Sequence, residues 1–143
     1  GWRVDGWKRA LTDHGLSYDG LNERGDFGYE SGTQAARGLL DRNPGMTALI
    51  GSSDQMTLAA LGVARDRGLH VPRDLSISSF DNTPIVRFSQ PPLTAVDQPI
   101  AETVSVAVEK LITLKGKPHE GGVINVAAGL VERASIGPAP SDD

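Results

Sequence analysis

The sequence of 143 residues contains no cysteine. Disulfide bonds and thiolate metal sites are therefore excluded, and the composition suits the cytoplasm while remaining compatible with export. The three histidines, His14, His70 and His119, lack the spacing of metal ligands and are more simply read as surface residues. We expect no metal site and no cofactor.

Positive charge and long apolar runs are also scarce. The formal net charge is −4 and the pI is about 5.3, so the chain lacks the basic surface with which proteins hold nucleic acid. No apolar run approaches the length that crosses a bilayer. With 38% hydrophobic and 22% charged residues, the composition instead indicates a globular protein without a membrane partner.

Catalytic motifs are absent as well. The sequence has no nucleophile elbow, no P-loop and no HExxH pattern. Asp54 and Asp81 could form a carboxylate pair for acid–base chemistry, but neither has a nucleophile or metal ligand near it in sequence. We therefore predict that the chain is not an enzyme and has no catalytic residues.

The chain begins with GWRVDGWKRALTDHG, which is neither a signal peptide nor a start-methionine sequence. Helix patterning is already present from Arg3 onward, so we expect a fragment that opens inside a helix. A tag remnant followed by a natural start is the alternative.

Residues 47–82 predict a strand, a helix and a second strand. Apolar runs at residues 47–51 and 75–79 are typical of buried strands. Between them, Asp54 stands where a helix N-cap belongs and Gly68 where the residue after the C-cap belongs. Two strands joined by a helix form a parallel pair with a right-handed crossover.

The rest of the chain extends this alternation. We predict helices at residues 2–14, 29–42 and 100–114, strands at 21–24 and 93–96, extended structure at 122–133 interrupted at Gly129, and a frayed tail at 137–143. Alternating helices and strands indicate an α/β fold, a doubly wound and mostly parallel sheet with helices on both faces.

Polar residues follow both central strands, at Ser52 to Asp54 and at Asp81 and Asn82. In an open α/β sheet, ligands bind outside the carboxyl ends of the strands, so both clusters should face one crevice. Arg3 and Gln98 add hydrogen-bond donors, and Phe27 could stack on a sugar or a base.

Each of these residues also has a simpler structural interpretation. Asp54 could serve only as an N-cap, and Asp81 could serve only in an Asx turn. Phe27 could belong to the core, Arg3 to the surface, and Gln98 could bond backbone before Pro99.

Six segments together resemble the C-terminal part of the LacI/GalR family of bacterial transcriptional regulators. They are RVDGWKRAL (3–11), GDFGYESG (25–32), TALIGSSDQMTLAALG (47–62), RGLHVPRDLSISSFDN (67–82), PPLTAVDQP (91–99) and LVERAS (130–135). Periplasmic sugar-binding proteins share the fold, but the last two segments, with VPRDLSISSFDN, favour the regulators.

The resemblance implies a two-lobed effector-binding domain behind an N-terminal helix-turn-helix. Residues 1–96 would form the C-terminal lobe, 97–118 a crossover and a helix packed on an N-terminal lobe outside this chain, 119–136 the return strands and 137–143 the tail. Positions that commonly line the effector cleft are matched by Arg3, Phe27, Ser53, Asp54, Asp81 and Gln98.

The function implied is effector binding that controls the attachment of a cytoplasmic regulator, expected to be a homodimer, to its operator. DNA would be held only through a headpiece outside this chain. A sugar is the first expectation for the effector, on family frequency, and a purine or nucleoside is the second because Phe27 could stack on a base. The alternative function is that of a periplasmic sugar-binding protein in a transport system.

Overall fold

A four-stranded sheet organises the structure, a computed structural model that describes residues 1–115 and 122–139. The strands, in spatial order, are β1 (Ala48–Ile50), β2 (Ser76–Asp81), β3 (Thr94–Asp97) and β4 (Gly129–Val131). β1, β2 and β3 are parallel, whereas β4 runs antiparallel to β3. The mostly parallel α/β sheet predicted from the sequence is therefore confirmed.

Within the described residues, four α-helices accompany the sheet, and their bounds agree closely with the sequence prediction. They are α1 (Trp2–Asp13), α2 (Tyr29–Arg42), α3 (Asp54–Asp66) and α4 (Ile100–Leu114). The residues that follow the C-caps of α1 and α3 are Gly15 and Gly68, with φ of +70° and +71°, a conformation that glycine adopts without strain. Gly116, predicted to end α4, lies outside the described residues.

The core lies between α3 and the sheet, with α2 packed against α3. The unit built around this core comprises α2, α3, β1 to β3 and the segments that join them. Its core residues are Ala36, Leu40, Leu49, Ala60, Val63, Ala64, Leu75, Ile77, Val86, Leu93 and Ala95. Small residues let the helices approach closely: a Cβ on Gly32 of α2 would lie 2.6 Å from the Met56 Cα of α3. Burial of this apolar surface is the main stabilising contribution to the unit.

The predicted strand at residues 21–24 is wrong. These residues form an irregular connection outside the sheet, and the Leu21 N–H closes a turn onto the Tyr18 carbonyl at 3.1 Å. Glu23 is exposed and pairs with Arg42 of α2 at 3.0 Å. A strand needs a neighbouring strand to bond its backbone, and none of the four described strands pairs with this segment.

Three further predictions need correction. Ser53, not Asp54, is the N-cap of α3, since the Ser53 hydroxyl accepts a hydrogen bond from the Met56 N–H at 3.2 Å. Gly129 begins β4 instead of interrupting a longer strand, because only three residues lie beside β3. Gly137, placed in the frayed tail, is bound to Ser76, whose Oγ accepts from its N–H at 3.1 Å. Residues 140–143 lie outside the described part.

The segment LVERAS completes the sheet where β2 and β3 are not yet paired. β2 pairs with β3 only from Ser78 onward, so Ile77 has no partner on β3. Ser135, fully buried, fills this gap: its Oγ donates to the Ile77 carbonyl at 2.6 Å and accepts from the Thr94 N–H at 2.8 Å, while its carbonyl accepts from the Ile77 N–H. A serine suits this position because its one hydroxyl satisfies two buried backbone groups.

α4 is the exception to this packing, since it has no buried residue. Its exposed large apolar side chains are 47–73% accessible and comprise Ile100, Val104, Val108, Leu111 and Ile112. The expectation that this face packs on a separate lobe stays a prediction. Among the described residues, no helix is both long enough and apolar enough to cross a membrane.

Candidate ligand-binding site

Arg3 of α1 connects the carboxyl ends of two neighbouring strands. Its guanidinium donates to the carbonyl of Ser52, just after β1, and lies 3.4 Å from Oδ1 of Asp81, the last residue of β2. Gln98, which follows β3, donates its side-chain N–H to the same Asp81 oxygen. As predicted, the polar groups that follow the strands meet at one edge of the sheet.

Two aromatic rings flank this group. The guanidinium carbon of Arg3 lies 4.2 Å from the ring centre of Phe80 and 5.8 Å from that of Phe27, both within the range of cation–π attraction. Phe27 is 57% exposed, so the interpretation as a core residue is wrong. The sequence analysis does not identify Phe80 as a site residue. Its position directly before Asp81, in a strand that ends at the crevice, would have indicated it.

Hydrogen bonds hold the loop that carries Phe27. The Ser53 hydroxyl donates to the Phe27 carbonyl at 2.8 Å, which adds to its role as N-cap of α3. Asp26 accepts from the Gly28 N–H at 2.9 Å and from the Ser31 hydroxyl. These bonds, first that from Ser31, lower the pKa of Asp26 because they favour its ionised form. Ser53 is buried, and it contributes to the site through its bond to the Phe27 backbone.

Asp54 is buried in the protein. It is 4% exposed, and its carboxylate accepts hydrogen bonds from the Ser79 hydroxyl at 2.5 Å and from the N–H and hydroxyl of Thr83, both at 2.6 Å. It therefore ties α3 to the chain that leaves β2. The two carboxylates considered as a pair from the sequence have different partners, since Asp81 bonds Arg3 and Gln98 whereas Asp54 bonds Ser79 and Thr83.

Backbone strain is concentrated at the same edge. Among the described residues, the non-glycine residues with positive φ are Phe27 (+70°), Asp81 (+110°) and Asn82 (+59°). Such conformations cost energy and persist only where the surroundings enforce them, and they cluster at functional sites. All three residues belong to the predicted crevice or follow it directly.

Two other kinds of polar site are relevant to this group, namely metal sites and buried polar side-chain atoms that lack a partner. Within residues 1–115 and 122–139, no cluster of three or more histidine or acidic residues could hold a metal ion. Every buried side-chain nitrogen or oxygen in the same ranges has a hydrogen-bond partner. The side chains at this edge of the sheet can bind a ligand by hydrogen bonding, through Arg3, Asp81 and Gln98, and by stacking on Phe27.

A separate open groove of about 680 Å³ lies along α3 and the loops beside it. None of the six predicted site residues lines it. Its lining is largely apolar and includes Tyr29, Leu58, Leu61, Leu69, Val71 and Pro91.

Residues 1–136 match the family described as periplasmic binding protein-like domain. The chain is 40% identical over 116 residues to catabolite control protein A of Priestia megaterium, which covers 80% of this chain and 35% of that protein. It is also 40% identical over 121 residues to the transcriptional repressor CytR of Escherichia coli K12, covering 84% of this chain and 36% of the relative. The chain thus spans about a third of the length of these curated relatives.

Solved structures of transcriptional regulators have the same fold. The regulator CelR in complex with cellobiose superposes with a TM-score of 0.88 at 36% identity, over 93% of this chain and 41% of that one. The Lac repressor bound to ONPG gives a TM-score of 0.83 at 29% identity, over 94% of this chain and 40% of that one.

Proposed function

The chain belongs to the LacI/GalR family of transcriptional regulators, and we propose that its cleft at Asp81 binds a small-molecule effector that controls DNA binding by the whole protein. The observation that carries this proposal is the position of Arg3, which joins two strand ends and faces the Asp81 carboxylate between two aromatic rings. Occupancy of the cleft would favour one of two states that differ in affinity for DNA.

A sugar fits the groups at this edge best. Asp81 supplies acceptors, Arg3 a planar fork of donors and Gln98 both, which together suit adjacent hydroxyls. Phe27, more than half exposed, offers the flat apolar surface that the carbon face of a sugar ring needs. Arg3, Phe27, Asp81 and Gln98 would contact the effector, while Ser53 and Asp54 would hold the backbone behind it. The relatives whose structures contain cellobiose or ONPG support this class.

A purine or nucleoside is the second candidate. The specific observation in its favour is the exposed ring of Phe27, on which a base could stack. Asp81 and Gln98 would then bond the polar edge of the base.

The division of the chain into parts belongs to the same proposal. Residues 1–96 would form one lobe of the effector-binding domain, 97–118 the crossover and α4, 119–136 the return to the sheet and 137–143 the tail. The exposed apolar face of α4 and the antiparallel pairing of β4 with β3 support this division. The second wall of the cleft would come from the lobe on which α4 packs.

We also propose a homodimer that forms through the groove along α3. Leu58, Leu61, Leu69 and Val71 are only partly buried there, and an open apolar surface of this kind is typical of an interface. DNA would be bound through a headpiece elsewhere in the whole protein.

The whole protein would act in the cytoplasm as a non-enzymatic regulator. The curated relatives are transcriptional regulators, which favours this role over that of a periplasmic transport component.

Calorimetry on the full-length protein tests the site. We expect Arg3→Ala and Asp81→Ala each to weaken binding of cellobiose, or of adenosine if the second class is correct, by roughly 10- to 100-fold, because each removes a charged hydrogen-bonding partner. Arg9→Ala, an exposed position on the same helix, is the matched control and should leave affinity unchanged. Unchanged affinity in both site variants would contradict the assignment.

A further inference from the structure

We propose that Arg133 is a positioning residue for effector binding, which acts on Asp81 through the side chain of Asn82. This inference rests on the proposed function of the Asp81 cleft. The sequence pattern places Asn82 among the polar residues that follow the strands, but it does not indicate Arg133, which is 51 positions away along the chain.

Arg133 fastens the segment after β4 to the two strands beside it. One guanidinium nitrogen donates to the carbonyl of Leu93 at 2.6 Å, and the other donates to Oδ1 of Asn82 at 2.7 Å. Its backbone N–H donates to the hydroxyl of Thr94 at 2.8 Å. The planar guanidinium has its donors in a fixed fork, so holding the Leu93 carbonyl also sets where Asn82 must lie.

Asn82 is held from both ends of its amide. While its oxygen accepts from Arg133, its nitrogen donates to Oδ1 of Asp97, the last residue of β3, at 3.0 Å. Asp97 is paired in register with both Asp81 and Gly129. The Asn82 side chain is thus bonded to β3 and to the segment after β4 at the same time.

This bonding restrains an unfavourable backbone conformation. Asn82 has φ of +59°, which asparagine tolerates better than most residues, but Asp81 has φ of +110°, outside the commonly populated region. A strained residue keeps its conformation only when its neighbours enforce it. Because Asn82 follows Asp81 directly, fixing Asn82 limits the backbone angles open to Asp81.

The orientation of the Asp81 carboxylate depends on that backbone. Its bonds to Arg3 and Gln98 require Asp81 to point into the crevice. The side-chain hydrogen bonds of Arg133 go to Leu93 and Asn82, not to Arg3 or Gln98. Arg133 therefore acts through another residue, and the segment LVERAS contributes to the site without touching it.

A double-mutant cycle on the full-length protein separates positioning from general stability. Arg133→Met keeps the apolar stem and removes the donors, and we expect it to weaken cellobiose or adenosine binding about tenfold. Asn82→Gly can still adopt positive φ, but it has no side chain through which Arg133 could act. In the Asn82→Gly background, Arg133→Met should cost no further affinity, whereas additive losses would overturn the proposal. Glu132→Gln, at an exposed neighbouring position, is the control.

Crystal structures of the ligand-free full-length protein and of Arg133→Met provide a readout that needs no ligand. We expect φ of Asp81 or Asn82 to leave the positive region in the variant, while Ser135 keeps its bonds to Ile77 and Thr94. Unchanged angles at Asp81 and Asn82 would overturn the proposal. If Arg133→Met does not fold, Arg133→Lys, which has one donor group instead of a fork, replaces it in both experiments. Shifted angles together with no binding of either ligand by the wild type would contradict the proposed function and leave the positioning role intact.

Discussion

The helices α3 and α4 have similar lengths and both carry apolar side chains, yet only α3 has a place in the core. α3 buries six residues and is capped by the Ser53 side chain. α4 buries none, begins after Pro99 without a side-chain cap, and leaves Val104 and Val108 about half exposed. The comparison shows that an apolar helical pattern predicts a helix and a surface to be covered, but not the element that covers it.

The largest expected contrast comes from a charge placed on each helix. Val63→Asp on α3 puts a carboxylate at a position that is 3% exposed, so we expect a loss of at least about 4 kcal/mol of unfolding free energy. Val108→Asp on α4, at a position 47% exposed, should change stability by less than about 0.5 kcal/mol in this chain. Urea denaturation monitored by circular dichroism measures both.

Measuring Val63→Asp and Val108→Asp in the full-length protein as well tests whether α4 is covered there. If α4 packs on a second lobe there, Val108→Asp should become destabilising. An unchanged midpoint in the full-length variant would contradict the proposed packing of α4.

A smaller effect is expected from glycine positions. Gly32→Ala places a Cβ 2.6 Å from the Met56 Cα, so α2 must move away from α3, at a cost of about 1–3 kcal/mol. Gly6→Ala on α1 meets nothing within 4 Å and should instead stabilise its helix by about 0.5–1 kcal/mol. Thermal unfolding distinguishes the two signs, and equal shifts would mean that the contact between α2 and α3 is not as close as described.

The smallest contrast concerns serines. Ser53→Ala removes the N-cap of α3 and the bond to the Phe27 carbonyl, so we expect a loss of about 1 kcal/mol. Ser105→Ala, at an exposed position inside α4, should be neutral or slightly stabilising because alanine is the better helix former. Chemical denaturation of both variants measures the difference, and a neutral Ser53→Ala would argue against its double role.

Much of the fold could be predicted because helix signals are local. Gly15 and Gly68 mark helix ends through a backbone preference that needs no knowledge of distant residues. Residues 21–24 were misread as a strand because strand formation depends on a partner that a single segment does not reveal. Asp54 was misread as an N-cap for a similar reason: its carboxylate is taken by Ser79 and Thr83, which are 25 and 29 positions away.

The candidate site likewise has parts that could be predicted from the sequence and parts that could not. The rule that ligands bind beyond strand ends predicted the place of Asp81. The chemistry of Arg3, Phe27 and Gln98, together with the resemblance to the LacI/GalR family, indicated them as further residues of the cleft. Phe80 and the link from Arg133 through Asn82 to the strained Asp81 backbone were not predicted. They depend on distances and dihedral angles that arise only when β2, β3 and the segment after β4 come together.

The sequence by itself determined that residues 47–82 form a strand, a helix and a strand whose polar ends share a crevice, because hydrophobic periodicity and turn residues act over short distances. Only the tertiary structure decided what each polar residue does there. Arg3 faces Asp81, Ser53 holds Phe27, and Asp54 is buried, because hydrogen bonds between distant segments select among roles that composition and spacing leave equally open.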